Sequence, residues 1–476
     1  MSLVVAEQES TRKQRSARRR TSVLPVVRRV HFYAGLFVAP LLALLCLTGL
    51  AFACTPQLDK LVYHHEFSLG RSPSGQALPL ATQVAEARRA HPEGTLAAVQ
   101  PPQGPEGTTG VQLRMPGLAS GAERTVFVDP YTGHIRGVLR MTNGRPPLQQ
   151  WVWTLHGTLH AGTVGRWYSE TAASWLGILL LGGLALYWQR RRQAKRRRRV
   201  ARRDGHERRG GEAARTARRL RPGRTLTRRV HTTLGLCLAL GLAGLTVTGL
   251  TWSHYAGTHF EAVLDALHGH APTLTEDHAA TPGRGPVLSV DEVARIAHQQ
   301  GLRPTTISYP STPGGTFVVA ESRDHWPVRR SSLAVDAHTG AVTARLSFAD
   351  YPPLAKLSTL GIRLHEGLLF GLVNQIALAA LAIGTLILLG SGYRMWWQRR
   401  STRTRALAPP PARGAWRRLP PRALVLGIPL VLALGWLLPL FAVTLAGFLL
   451  LDTAVPRLRR AARGHGSTGE AAQRAG

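Results

Sequence analysis

Cysteine is scarce in this sequence. Its 476 residues include three, Cys46, Cys54 and Cys237, and no CxxC pair. That excludes a disulfide framework, a zinc knuckle, a cysteine-held iron–sulfur cluster and covalent haem attachment through CxxCH. No GxGxxG follows a strand pattern, and no P-loop, HExxH or Ser-His-Asp pattern occurs. Nucleotide-binding domains and the common hydrolases therefore drop out. Acidic residues are scarce too, 26 against 60 Lys and Arg, for a formal charge of +34.

An excess of that size suggests nucleic acid, but its distribution points elsewhere. Eight Lys or Arg precede His31, 19 fall in Arg190–Arg229, 9 in Arg394–Arg422 and 5 after Val455. The long segments between, Ala53–Glu170 and Ser253–Gly367, hold 10 and 9, against 8 and 11 acidic residues. Basic clusters at alternate ends of apolar runs follow the positive-inside rule. No nucleic-acid partner is expected, and the clusters are expected to lie against membrane lipid.

The apolar residues fall into five runs: Phe32–Ala53, Ala172–Trp188, Thr232–Trp252, Leu368–Trp397 and Ala423–Leu451. Each of the first four is long enough to cross a bilayer as a helix. The fifth contains Pro429 and Pro439 and is flanked by "WRRLPPR" and "RLRRAAR". Both flanks belong inside, which requires an even number of spans, so the fifth run is read as a hairpin and the chain as about six spans. Both termini are then cytoplasmic. About thirty polar, Arg-rich residues precede the first run, which argues against a cleaved signal peptide.

The chain is an internal duplication. "RRVH" at 28–31 recurs at 228–231, and Gly35-Leu36 and Thr48-Gly49-Leu50 recur at the same offset of 200. "VDPYTG" at 128–133 matches "VDAHTG" at 335–340. Leu155-His156 matches Leu364-His365, and "WQRR" at 188–191 matches 397–400. Each unit reads as span, outside segment, span, giving a parallel repeat with a pseudo-two-fold along the membrane normal. "ATQVAEARRAHP" and "SVDEVARIAHQQG" have helical spacing, and Ser289 with Glu292 makes a capping box. "RTVFVDPYTGHIRGVLR" and "SSLAVDAHTGAVTARLS" read as β-hairpins, with Asp129, Gly133, Asp336 and Gly340 serving the turns.

These ordered motifs resemble the PepSY-associated transmembrane family, over residues from about 25 to 455. The resemblance implies an α-helical integral membrane protein with two small extracytoplasmic α+β PepSY-like modules. Some members are ferrisiderophore reductases of the bacterial inner membrane with two b-type haems, and others are known as iron-regulated or PepSY-containing membrane proteins. The expected layout begins with a basic cytoplasmic tail (1–30), span 1 (31–53), a module (54–150) and an approach helix with span 2 (151–188). An Arg-rich cytoplasmic loop (189–229), span 3 (230–252), the second module (253–360) and an approach helix with span 4 (361–397) follow. A cytoplasmic loop (398–422), the hairpin (423–455) and a cytoplasmic tail (456–476) complete it.

Four histidines occupy repeat-equivalent places: His31 and His231 at the inner ends of spans, His156 and His365 on the outer approaches. Ionisable groups at membrane depth are rare and mark function. A pseudo-two-fold sets His31 opposite His231 and His156 opposite His365. Two imidazoles on either side of a haem iron fill its axial positions and suit electron transfer. Gly35 and Gly235, four residues after the inner histidines, leave room on the same helix face for a flat macrocycle. Arg28 and Arg228 stand where haem propionates would need cations, although positive-inside anchoring accounts for them equally well. His160, four residues after His156, corresponds to Leu369 in the other repeat and is read as a substitute ligand, a supporting group or part of an outer substrate site. His64, His65, Glu66, His254 and His259 are extra metal contacts to consider.

The expectation is a two-haem membrane protein carrying electrons outward to an extracytoplasmic acceptor, ferric iron held by a siderophore. Oxygen ligands hold Fe(III) better than Fe(II), so reduction loosens the complex. No inside segment is large enough for a flavin or nicotinamide domain, so the donor is a quinol or a separate reductase. Two other readings stand beside this one: a non-enzymatic protein whose modules bind a peptide or protein, and a histidine-based metal carrier.

Overall fold

The computed structural model describes residues 23–71, 75–203, 222–274, 286–312, 315–399 and 419–455. Most of the expected tails and Arg-rich loops (1–22, 204–221, 400–418 and 456–476) lie outside the described residues. The first half runs α1 (Leu24–Phe37), α2 (Ala39–Ala53), α3 (Thr55–Val62), α4 (His64–Phe67), α5 (Leu80–Ala90), β1 (Thr95–Gln100), β2 (Thr109–Arg114), β3 (Ala122–Val128), β4 (Ile135–Thr142), α6 (Pro147–Thr158) and α7 (Gly162–Arg203). The second runs α8 (Pro222–Leu250), α9 (Tyr255–Ala266), α10 (Val290–Gln299), β5 (Thr306–Ser308), β6 (Thr316–Arg323), β7 (Arg329–Asp336), β8 (Val342–Ser347), α11 (Pro353–His365) and α12 (Leu372–Trp397). Two shorter apolar helices follow, α13 (Pro421–Leu437) and α14 (Pro439–Val455). The chain divides into a helical unit (Met1–Leu47, Ala161–Ala262, Ala380–Gly476) and a second unit (Thr48–His160, Val263–Ala379).

Among the described residues, three helices are long and apolar enough to cross a membrane: Gly162–Arg199, Thr225–Leu250 and Leu372–Trp397. The pair α1 and α2 makes a fourth span if counted as one, bent by 56° at its break. Pro40 explains the bend. It has no N–H to give the Leu36 carbonyl, and its ring clashes with that carbonyl. The Tyr393 hydroxyl donates to Leu36 O instead, at 2.8 Å. In the other repeat the equivalent residue is Leu240, and α8 runs unbroken through it. Leu240 is 86% exposed, as are other large apolar side chains along the spans; lipid, not water, is the solvent such a surface suits.

Pro439 opens a new helix, as its place in the fifth run predicts. Leu438 leaves the helical conformation at φ −126° and ψ 76°. A Cβ on Gly435 would lie 3.2 Å from that of Ala442, so the two helices fold sharply against each other there. Trp175 Nε1 donates to Thr444 Oγ1 at 2.9 Å, Tyr33 packs on Phe448, and Asp452 pairs with Arg29. Leu438 and Phe441 join Ala34, Val38, Leu42, Ala172 and Trp175 in one buried cluster.

In the second unit, the two outside segments are not separate modules. Their strands form one antiparallel eight-stranded sheet, ordered β4-β3-β2-β1-β5-β6-β7-β8. The repeats meet where β1 pairs β5, with Val99 opposite Ile307, both fully buried. A four-stranded sheet ending at β1 or β5 would expose a row of unpaired backbone groups, and joining the two satisfies them. The core is shared: Val84 and Ala87 of α5 pack with Val293 and Ala297 of α10 over strands from both halves.

The turns behave as their residues require. Asp129 Oδ1 accepts from the Tyr131 N–H at 2.8 Å, and Asp336 Oδ1 from the Thr339 N–H at 2.8 Å. The Thr339 amide, with that of His338, holds the Asp336 carboxyl below the usual carboxylate range. Gly133 and Gly340 take φ of +75° and +71°, where a side chain would be strained. Ser289 and Glu292 form the capping box of α10. The equivalent residue before α5 is Pro79, which has no side chain to cap with, and Asp291 of the other repeat accepts from Leu80 N at 2.6 Å and Ala81 N at 2.9 Å.

Asp291→Ala removes that cap and should cost about 1 kcal/mol. Amide exchange is expected to rise in α5 more than in α10, whose own capping box is intact; equal protection of α5 in the variant and the parent would show that the cap is idle.

Candidate functional site

The inner histidines lie in the helical unit on one cavity of about 780 Å³. Its lining includes His31, Gly35 and Arg28 from α1 and His231, Gly235 and Arg228 from α8. The two imidazoles are close enough to act on each other electrostatically. Each is set against the paired span of its own repeat. A Cβ on Gly182 would stand 3.4 Å from His31 Nδ1, and one on Gly183 would stand 3.4 Å from His31 Cε1. A Cβ on Gly392 would stand 3.7 Å from His231 Cε1. Larger residues at these glycines would crowd the rings.

The seats are not identical. His231 Nδ1 lies 3.1 Å from the Leu388 carbonyl and 2.9 Å from the Ser391 hydroxyl. With Nδ1–H donated there, Nε2 is left as the basic nitrogen. Leu179 backbone faces His31 in the equivalent way, but Gly182 replaces Ser391, and His31 Nδ1 is buried without a well-formed hydrogen bond. Arg29 does not reach the cavity with Arg28; it is 5% exposed and paired with Asp452. The arginines of the two "WQRR" stretches, Arg190 and Arg399, line the cavity instead, beside Tyr187, Tyr393 and Trp396.

The outer histidines lie in the second unit. His156, near the end of α6, has Nδ1 2.9 Å from Thr48 Oγ1, and its ring stacks near Phe52 at 6.4 Å. A Cβ on Gly49 would come within 3.0 Å of His156 Cε1, so the "TGL" stretch is the seat of the outer histidine. His365 ends α11 and is close enough to His156 to interact with it electrostatically. The segment around His365 is tied down by charge. Glu366, 6% exposed, meets Arg363 Nη1 at 2.8 Å and Arg145 Nη2 at 3.3 Å. Arg363 Nε also meets Asp324 at 3.1 Å. Asp59 of α3, itself buried, receives a backbone hydrogen bond from Gln149 in the first turn of α6.

His160 is placed differently from its spacing. The helix ends at Thr158, and Leu159 and His160 take φ of 50° and 54°, which breaks the four-residue face it would share with His156. It is exposed, with Nε2 3.0 Å from the Trp151 carbonyl and its ring against Trp151. His254 lies against Tyr255 and near Arg166, and His259 against Trp436. Among the described residues no group of three or more His, Cys, Asp or Glu converges to hold a metal ion.

Thr48, Gly49, Gly182, Gly183, Ser391 and Gly392 belong to the sites although spacing alone did not assign them. Their signal is present as repeat matches, Thr48-Gly49 with Thr248-Gly249 and Gly183 with Gly392, but only the folded chain shows that each small residue faces a ring. The family model described as the PepSY-associated TM region matches residues 28–399. No curated protein matches the chain.

Burial lifts the Asp59 carboxyl to about 6, against the Gln149 hydrogen bond that lowers it. An unfolded aspartate titrates near 3.9, so Asp59 favours the fold when protonated and that contribution is lost as pH rises from about 4 to about 6. Asp59→Asn is expected to flatten the pH dependence of the melting temperature across that window and to raise it at pH 7 by on the order of a few degrees. A variant that melts lower at pH 7 would show that the carboxylate stabilises α6.

Proposed function

We propose, from the premise that this chain belongs to the PepSY-associated TM region family, that it is a six-span bacterial inner-membrane protein. It holds two b-type haems and moves electrons outward to ferric iron, presented as a siderophore complex. The observation that carries this is the inner cavity. It brings a histidine from each repeat to one space with apolar walls and arginines at its edge. Its volume, about 780 Å³, is within the usual range for cofactor pockets.

Haem bound between such histidines supplies a one-electron carrier. The protein's part is to fix the imidazoles. Leu388 and Ser391 hold the His231 ring by Nδ1 and turn Nε2 to the ligand side; a hydrogen-bonded Nδ1–H also makes that nitrogen a stronger donor. Gly182 and Gly183 leave the His31 ring its place. Gly35 and Gly235 keep the cavity open on the faces below the histidines. Thr48 holds His156 at Nδ1, so its Nε2 would face the outer haem with His365. The Glu366 ion pairs with Arg145 and Arg363 keep the His365 segment against the sheet. The electron donor is a quinol or a separate reductase, because the described residues form no nucleotide-binding fold.

The six-span count is supported by the sharp fold at Leu438 and by Asp452 meeting Arg29. The second of the two short helices therefore ends beside the start of α1, on the same side as the basic clusters. Legs of this length, short of the ~20 residues of an ordinary span, are accommodated by packing against the other spans or by local thinning of the bilayer.

Purified protein should show a reducible b-type absorbance with about two haems per chain. His31→Ala and His231→Ala should each remove the same haem, and His156→Ala and His365→Ala the other. Folded, active protein without haem would overturn the proposal, and losses pairing His31 with His365 would overturn the assignment of ligands. Orientation is tested separately. A reporter enzyme active only outside the cytoplasm should be silent after Gly476 and active within residues 269–285; activity at the C-terminus would mean an odd number of spans.

A further inference from the structure

Four arginines line the cavity that contains His31 and His231: Arg28, Arg190, Arg228 and Arg399. They come from two repeated stretches. Arg28 and Arg228 open the two "RRVH" motifs, an offset of 200, and Arg190 and Arg399 stand in the two "WQRR" motifs, an offset of 209. One arginine comes from the basic end of each of the four spans of the duplication. All four are exposed, so they form the cavity's mouth. Among the described residues no acidic side chain lines the cavity.

Four guanidiniums around one opening repel one another, and the repulsion grows where apolar walls lower the local dielectric. Positive-inside anchoring requires basic residues at these helix ends, but Arg192 meets that need from an exposed position that does not line the cavity. It does not require one arginine from each of four helices to border a single space. Below the mouth the walls are apolar, with Leu36, Leu180, Leu236 and Leu389 among them. Apolar walls under a ring of cations suit an amphiphile with an apolar body and a doubly anionic end.

We infer that Arg190 and Arg399, with Arg28 and Arg228, form a two-fold-related anion clamp at the mouth of the cavity, and that it holds the two carboxylates of the tetrapyrrole; this rests on the haem proposal above. The planar guanidinium fork pairs with a carboxylate in two parallel hydrogen bonds, which gives orientation as well as charge. The repeated "WQRR" is then a ligand-binding motif as well as a topological signal.

The test uses the full-length chain, produced with haem limiting and placed in lipid nanodiscs, titrated with haemin or with haemin dimethyl ester and followed by absorbance. Esterification removes both anionic charges and leaves the iron and the ring. The parent should bind haemin on the order of 100-fold more tightly than the ester, about tenfold for each lost ion pair. The double variant Arg190→Gln with Arg399→Gln should lose most of that preference while binding the ester as the parent does, which also shows that it has folded. Arg192→Gln should keep the full preference. Equal binding of haemin and ester by the parent, or a preference that survives in the double variant, would overturn the clamp and leave the haem proposal standing. If neither compound binds, both fail. Loss of a co-purified anionic phospholipid from the double variant, with haemin preference unchanged, would assign the arginines to lipid phosphate and overturn the clamp.

Discussion

An imidazole at the boundary of an apolar helix has little water to turn to, and its second nitrogen must be held by protein. Much of the arrangement follows from that constraint. His231 gives Nδ1 to a backbone carbonyl and a serine on the paired helix, and His156 shares its Nδ1 with a threonine hydroxyl. Facing a carbonyl that can only accept, His231 is left with its opposite nitrogen basic, and both rings are fixed in one plane. Rings held in this way need small neighbours, which is why Gly49, Gly182, Gly183 and Gly392 sit where a Cβ would touch them. These four glycines are therefore packing partners of particular side chains rather than general helix breakers.

The outside segments obey a different constraint. Each repeat contributes four strands and one helix packed on them, α5 or α10, too little to close a core by itself. Pairing β1 with β5 removes two edges at once and fuses two small cores into one. The fusion is reinforced across the repeats by Asp291, which caps a helix whose own N-terminal residue is proline. A single sheet makes the two halves one cooperative body, so a disturbance in either module reaches the segments that carry His156 and His365.

Where the duplication is broken, the substitution has a visible consequence. Pro40 bends the first span and Leu240 leaves its counterpart unbroken. Ser391 supports His231 where Gly182 gives His31 nothing, so the Nδ1 atoms of the two inner imidazoles are held differently. Glu366 draws two arginines toward the His365 segment, whereas its counterpart Gly157 has no side chain to do so. These substitutions make the two repeats locally different within an otherwise two-fold design.

Much of this was legible in the sequence. Apolar runs and repeat offsets determined the long apolar helices and the duplication, and they marked the four repeat-matched histidines, because lipid burial acts on composition over windows of many residues. The turn aspartates, the turn glycines and the capping box were legible as well, since their chemistry is local. The single sheet was not, because strand pairing between segments two hundred residues apart leaves no mark in either one. Nor was the turn of His160 away from His156, which depends on two residues in left-handed conformation at a helix end. The same holds for Arg29 and Arg28, neighbours with the same composition and opposite fates: one is buried on Asp452 and the other faces a cavity. Sequence determines that such charges lie at a membrane boundary; only the packed helices decide which way each one points, because adjacent residues on a helix face directions about 100° apart.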